Sequence, residues 1–186
     1  RGRGKSDGLY DEGFEVNRSR YACNPALSSP GLDRALSDMD VAADYLAARP
    51  DVDNKRMLVG GQSRGGIASV AYAGMRPTRF MGVINFVGGW VGDRCGYADA
   101  INTAGFKRGT AFASPMLWLY AEDDPIYRIR HSKNNFDTFV QAGGKGSFRV
   151  FEPMRGLYGH GLISMPDLWR ADITSYMEQI SRQKSN

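Results

Sequence analysis

The sequence predicts an α/β fold: a parallel sheet covered by helices on both faces. Two observations carry this. Short apolar runs bounded by glycine, proline or charge alternate with segments of helical periodicity along the chain, and strands joined by helical crossovers pair in parallel with helices on either side. The length of 186 residues suits one domain with a real core and is short for two. No internal repeat, low-complexity segment or linker divides residues 1–186, so a single domain is expected.

Residues 1–31 are rich in Gly, Ser, Asn and charge without sustained periodicity, and read as a loop ending in a helix entry at Ser29-Pro30-Gly31. Leu32, Ala35, Leu36, Met39, Ala42, Ala43, Tyr45 and Leu46 follow at helical spacing as one buried face, stopped before Pro50. Arg56 to Gly60 reads as a buried strand, Gly60 to Gly66 as a turn, and Ile67 to Met75 as a helix. Met81 to Val87 is a second strand. Residues 88–114 form an irregular connection with one short helix near Tyr97 to Thr103. Met116 to Tyr120 and Ser147 to Phe151 are the remaining strands, with a helix from Ser132 to Gln141 between them. Pro166 opens a last helix with Leu168, Ile173, Tyr176, Met177 and Ile180 on its inner side.

Composition narrows the function classes. Apolar and charged contents are those of an ordinary folded domain. No apolar run approaches the roughly 18 residues of a membrane span. The net charge of +4 is modest. Its densest cluster, Arg1-Gly2-Arg3-Gly4-Lys5, lacks the interleaved aromatics of a nucleic-acid surface, so no nucleic-acid partner is expected. Two histidines and no CxxC argue against zinc, and no metal or cofactor is expected. Cys23 and Cys95 read as two unrelated thiols in an intracellular protein, or as one disulfide in an exported one. The start, without Met and in a Gly/Arg-rich turn, suggests a piece of something longer.

Chemistry concentrates in three loops. The first is Gly61-Gln62-Ser63-Arg64-Gly65 between an expected strand and helix. A nucleophilic serine must stand clear of the sheet on a sharp turn, whose crowding favours glycine two residues either side, here Gly61 and Gly65. The same turn opens a helix, so the backbone N–H of Arg64 is the expected oxyanion donor. The second loop is Glu122-Asp123-Asp124-Pro125, just past the third strand, where a carboxylate can orient a histidine. The third is Gly159-His160-Gly161, after the fourth strand. His131, near a helix start, is the rival histidine, with an exposed helix face as its expected place. Ser63, Asp124 and His160 stand in the chain order of an α/β-hydrolase triad.

With these motifs the chain resembles the dienelactone-hydrolase-like branch of the α/β-hydrolase superfamily. Arg1 to Gly8 resembles that family's R-G-x-G-x-S-x-G loop, Val59 to Gly66 its nucleophile turn, and Gly159 to Gly161 its glycine–histidine turn. In Leu117 to Pro125 the family acid stands three residues after the small residue closing the strand; from Ala121 that is Asp124, with Asp123 second. Dienelactone hydrolases proper use cysteine where this chain has Ser63. The resemblance also implies about four strands, one bearing a second oxyanion donor, ahead of residue 1. The 186 residues would then be the C-terminal portion of the fold, with an exposed apolar edge at the first strand. It further implies a Cys23–Cys95 disulfide, as in exported members, and with it a periplasmic or secreted address over a cytoplasmic one.

The function expected from this resemblance is a serine hydrolase acting on a small carboxylic ester, thioester or lactone through an acyl-enzyme. Trp90 and Val91 after the second strand, Tyr127 after Asp124 and Tyr158 beside His160 are candidate substrate contacts, each equally open to core packing or surface cover. A prolyl-oligopeptidase-type peptidase shares the turn and the triad order. A non-catalytic scaffold or inactive truncated product is the third reading. The sequence leaves oligomeric state open.

Overall fold

The structure, a computed structural model, describes residues 5–8, 13–15, 17, 21–152 and 158–183. Residues 1–4 of the Arg1–Gly8 loop, and Gly156 and Leu157 ahead of the glycine–histidine turn, lie outside the described residues.

The first helix, α1, runs from Pro25 to Ala47, starting earlier than the Ser29-Pro30-Gly31 entry expected. Asn24 causes this: its side-chain oxygen accepts the Ala26 N–H at 2.8 Å, and Pro25 has a backbone suited to a first helical turn. Pro30 therefore sits inside the helix, which absorbs one missing N–H donor early in its length. Leu32, Leu36 and Ala43 are buried, but Ala42, Tyr45 and Leu46 are exposed, contrary to the periodic stripe. α1 packs on other helices, α2 and α3, with which it makes its main contacts.

Four strands follow: β1 (Leu58–Gln62), β2 (Gly82–Phe86), β3 (Met116–Ala121) and β4 (Gly146–Phe151). All pairings are parallel, in the order β1-β2-β3-β4. β1 begins two residues later than expected, because Arg56 is tied into a turn by its N–H bond to the Asp53 carbonyl; the ladder starts at Leu58 opposite Gly82. The helices between and after are α2 (Arg64–Met75), α3 (Ala98–Lys107), α4 (Ile129–Gln141) and α5 (Pro166–Gln183). The 88–114 connection is thus more ordered than its sequence suggests, with α3 running on into a 3₁₀ turn at Arg108–Ala111.

The register shows which helices share a face. Trp118 pairs with Asn85, and its ring meets Phe106 of α3 and Phe139 of α4. Phe86, the next residue, points the other way and meets Trp169 of α5 at 5.1 Å between ring centroids. Helices therefore cover both faces, as expected. Tyr176 and Ile180 of α5 are buried, whereas Met177, at the margin of that stripe, is exposed. All of β3 and every residue of β2 except Ile84 are buried, so the sheet is a stiff base whose carboxyl ends present the loops at 63, 87–95, 122–128 and 158–164.

Candidate active site

Ser63 is the single residue between β1 and α2, with φ +57° and ψ −122°. A side-chain-bearing residue in that region costs about 1–3 kcal/mol and persists only where surroundings hold it. Here they do. Its N–H donates to the Phe86 carbonyl at 2.9 Å, and its carbonyl accepts from Gly66, Ile67 and Gly89. Of the two glycines expected to make room, one is essential: a Cβ on Gly61 would lie 2.5 Å from the Gly65 carbonyl carbon, whereas a Cβ on Gly65 would meet nothing within 4 Å. The room needed lies on the strand side of the turn. Arg64 opens α2, so its N–H points out of the helix start.

Asp124 is buried while Asp123 and Glu122 are exposed. Its Oδ1 accepts the N–H groups of Ile126 at 2.8 Å and Tyr127 at 3.1 Å. Its Oδ2 lies 2.9 Å from Nδ1 of His160. The carboxylate is thus fixed by its own loop and presents one oxygen to the imidazole. The Gln62 side chain donates to the His160 carbonyl, which ties the histidine loop to the residue before Ser63. Asp124 and His160 are directly joined, and His160 reaches the Ser63 turn through Gln62. Gln62 carried no signal in the sequence.

His131 is not on an exposed face, contrary to expectation; its side chain is 9% exposed. Nδ1 pairs with Asp99 at 2.8 Å, and Nε2 faces the amides of Asn102 and Asn135 at 2.9 and 3.0 Å. The Asn102 orientation is fixed, because its Oδ1 accepts from Trp90 and Val91 N–H while its amide donates to the Val91 carbonyl. Nε2 of His131 is therefore an acceptor and its proton sits on Nδ1. This histidine braces the loop at Trp90 through Asn102, a fully buried residue that sequence reading passed over.

A cavity of about 590 Å³ adjoins Ser63. Tyr21, Arg64, Trp90, Val91, Ile126 and Tyr127 line it. The Arg64 guanidinium lies between two rings, 3.4 Å from the Tyr21 centroid and 4.1 Å from that of Trp90, and its Nε donates to the Trp90 carbonyl. Tyr158 is exposed, with its ring 6.2 Å from His160, and is not among the residues lining this cavity. Cys23 and Cys95 form a disulfide on the cavity wall. Among the described residues, no group of His, Cys, Asp and Glu could hold a metal ion, and no helix is long and apolar enough to cross a membrane.

The profile of the prolyl oligopeptidase family matches residues 32–95, which include Ser63 but neither Asp124 nor His160. No curated protein matches the chain. Among solved structures it is similar to a thermostable esterase (20% identity, TM-score 0.54), covering 79% of this chain and 36% of that one. It is also similar to a Klebsiella pneumoniae protein assigned as a dienelactone hydrolase, with 19% identity, TM-score 0.53, and coverage of 87% of this chain and 72% of that one. A third likeness is to a Bacteroides ovatus protein assigned as a dipeptidyl aminopeptidase IV, with 18% identity, TM-score 0.57, and coverage of 80% and 22%. The chain thus spans little over a third of the thermostable esterase. At these identities the likeness carries the fold.

Proposed function

We propose that this chain, an α/β-hydrolase by fold, carries the Ser-His-Asp site of a serine hydrolase that cleaves a carboxylic ester, thioester or lactone. The observation that carries the reading is the Asp124–His160 pair held against the turn that presents Ser63. With Nδ1 committed to Asp124, Nε2 is the nitrogen left to take the Ser63 proton as Oγ attacks the substrate carbonyl. Asp124 fixes the ring and stabilises the imidazolium. The Arg64 N–H supports the developing oxyanion. The alcohol or thiol leaves with the proton from His160, and water, deprotonated by the same nitrogen, resolves the acyl-enzyme. Trp90 and Val91 contact the substrate, and the Cys23–Cys95 disulfide suits a periplasmic or secreted enzyme.

A fluorophosphonate probe tests this on the full-length folded protein. Wild type is expected to be labelled at Ser63 and Ser63→Ala not. Absence of labelling in wild type sinks the reading and leaves a non-catalytic scaffold. A peptidase is the second reading, favoured by the prolyl oligopeptidase match over residues 32–95. Turnover of p-nitrophenyl esters but not of aminoacyl-anilides excludes it; the reverse replaces the esterase.

A further inference from the structure

Tyr127 touches all the parts of the candidate site at once. It is only 3% exposed. Its backbone N–H donates to Asp124 Oδ1 at 3.1 Å. Its ring centroid is 5.5 Å from that of His160. Its hydroxyl donates to the Gly89 carbonyl at 2.7 Å, and the Gly89 N–H donates to the carbonyl of Ser63 at 3.2 Å. The 87–89 turn is shaped around the phenol: a Cβ on Gly89 would lie 2.4 Å from the ring. These contacts join the acid loop to the serine turn through one side chain.

Resting on the reading of Ser63 as nucleophile and His160 as base, we propose that Tyr127 is a positioning residue. It fixes the separation between the Ser63 turn and the Asp124–His160 pair. The reaction needs Oγ and Nε2 in register, and misplacement by about 1 Å costs on the order of a hundredfold in rate. The Asp124 loop and the serine turn stand on different strands, β3 and β1, which are not neighbours in the sheet. Their spacing is otherwise set through β2 and through the Gln62 bond to the His160 carbonyl. The Tyr127–Gly89 bond closes that frame at the level of the reacting atoms. Burial pushes the phenol up to about 12, the nearby Ser63 side chain pulling the other way, so the hydroxyl keeps its proton and its hold on Gly89 through neutral pH.

The test is Tyr127→Phe, which keeps the ring and removes the hydroxyl, assayed on p-nitrophenyl esters of graded acyl length with fluorophosphonate labelling and thermal melting alongside. A drop in kcat of about tenfold is expected, the size of one lost structural hydrogen bond, with KM within about twofold at every acyl length. The labelling rate should fall in proportion while the protein stays folded at the assay temperature. Gly89→Ala, which forces the ring away from the same bond, should give the same kcat-only signature. A KM that rises with acyl length at constant kcat would make Tyr127 a substrate contact and overturn the proposal, as would wild-type kinetics in both variants. Failure of wild type to label at Ser63 overturns the nucleophile reading and this proposal together. A labelled wild type with unchanged variants overturns this proposal alone.

Discussion

Asp124 gives one carboxylate oxygen to Nδ1 of His160 at 2.9 Å and the other to the backbone of its own loop, at Ile126 and Tyr127. The division has a consequence. Asp124→Asn places an amide where both sides require an acceptor: two loop N–H groups on one side and the Nδ1 proton on the other. Only one can be met, so the imidazole is driven to the wrong tautomer. On the proposed mechanism kcat should fall on the order of 10⁴-fold with little change in KM, as equivalent changes do in other serine hydrolases. Asp123→Asn, at the exposed neighbour, should stay near wild type. Steady-state kinetics of the two variants decide it; equal losses would move the orienting role away from Asp124.

That the loops bearing Ser63, Asp124 and His160 lie at one edge of the sheet was legible because each stands where an apolar strand run gives way to a glycine- or acid-rich loop, and a parallel sheet brings such strand ends to one edge. The helix-to-strand alternation was legible for the same reason. Three kinds of feature were not. The start of α1 was hidden because Pro30 reads as punctuation, while a side-chain cap at Asn24 overrides it. The exposure of Tyr45 and Leu46 depends on which face of α1 meets the other helices, which periodicity alone does not encode. Gln62, Asn102 and the buried role of His131 rest on hydrogen bonds between residues far apart in sequence. The Cys23–Cys95 pairing came from family resemblance rather than spacing, and is present.

The serine turn separates two glycines that look equivalent in sequence. Gly65→Ala should be tolerated, because an added Cβ meets open space there. Gly61→Ala should distort the turn, because its Cβ would press on the Gly65 carbonyl, which is backbone and cannot move aside. We expect a loss of about 2–3 kcal/mol and of fluorophosphonate reactivity for Gly61→Ala, against near-native values for Gly65→Ala. Chemical denaturation and labelling of the pair check this; equal behaviour would contradict the packing.

The disulfide joins cysteines 72 residues apart, and both line the cavity beside Ser63. Closing a loop of that length should add about 4 kcal/mol through the unfolded chain. It also anchors the segment bearing Tyr21, whose ring covers the Arg64 guanidinium. Cys23→Ser/Cys95→Ser is therefore expected to lower the denaturation midpoint and, separately, to raise KM for the esters of the proposed reaction at temperatures where it stays folded. A stability loss without any KM change would mean that the disulfide braces the fold and not the cavity.

Asp40 of α1 accepts from Nε of Arg76 at 2.8 Å, from Nη2 at 2.5 Å, and from the Tyr72 hydroxyl at 2.8 Å. These bonds tie α1 to the end of α2, the helix that the serine turn opens. The Arg76 hydrogen bond, then that of Tyr72, hold the carboxyl at about 2 against its ordinary 3.8. A carboxylate with a depressed folded-state pKa binds fewer protons folded than unfolded near those values. Its stabilisation is therefore fully present above about 3.8 and is lost as pH falls toward about 2. Asp40→Asn removes the charge at every pH. Wild type should exceed the variant in urea midpoint at neutral pH, the gap should close between pH 3.8 and 2, and it should shrink in high salt because the pair is partly exposed. A gap that persists unchanged at pH 2 would show that Asp40 acts through its shape and hydrogen bonds rather than its charge.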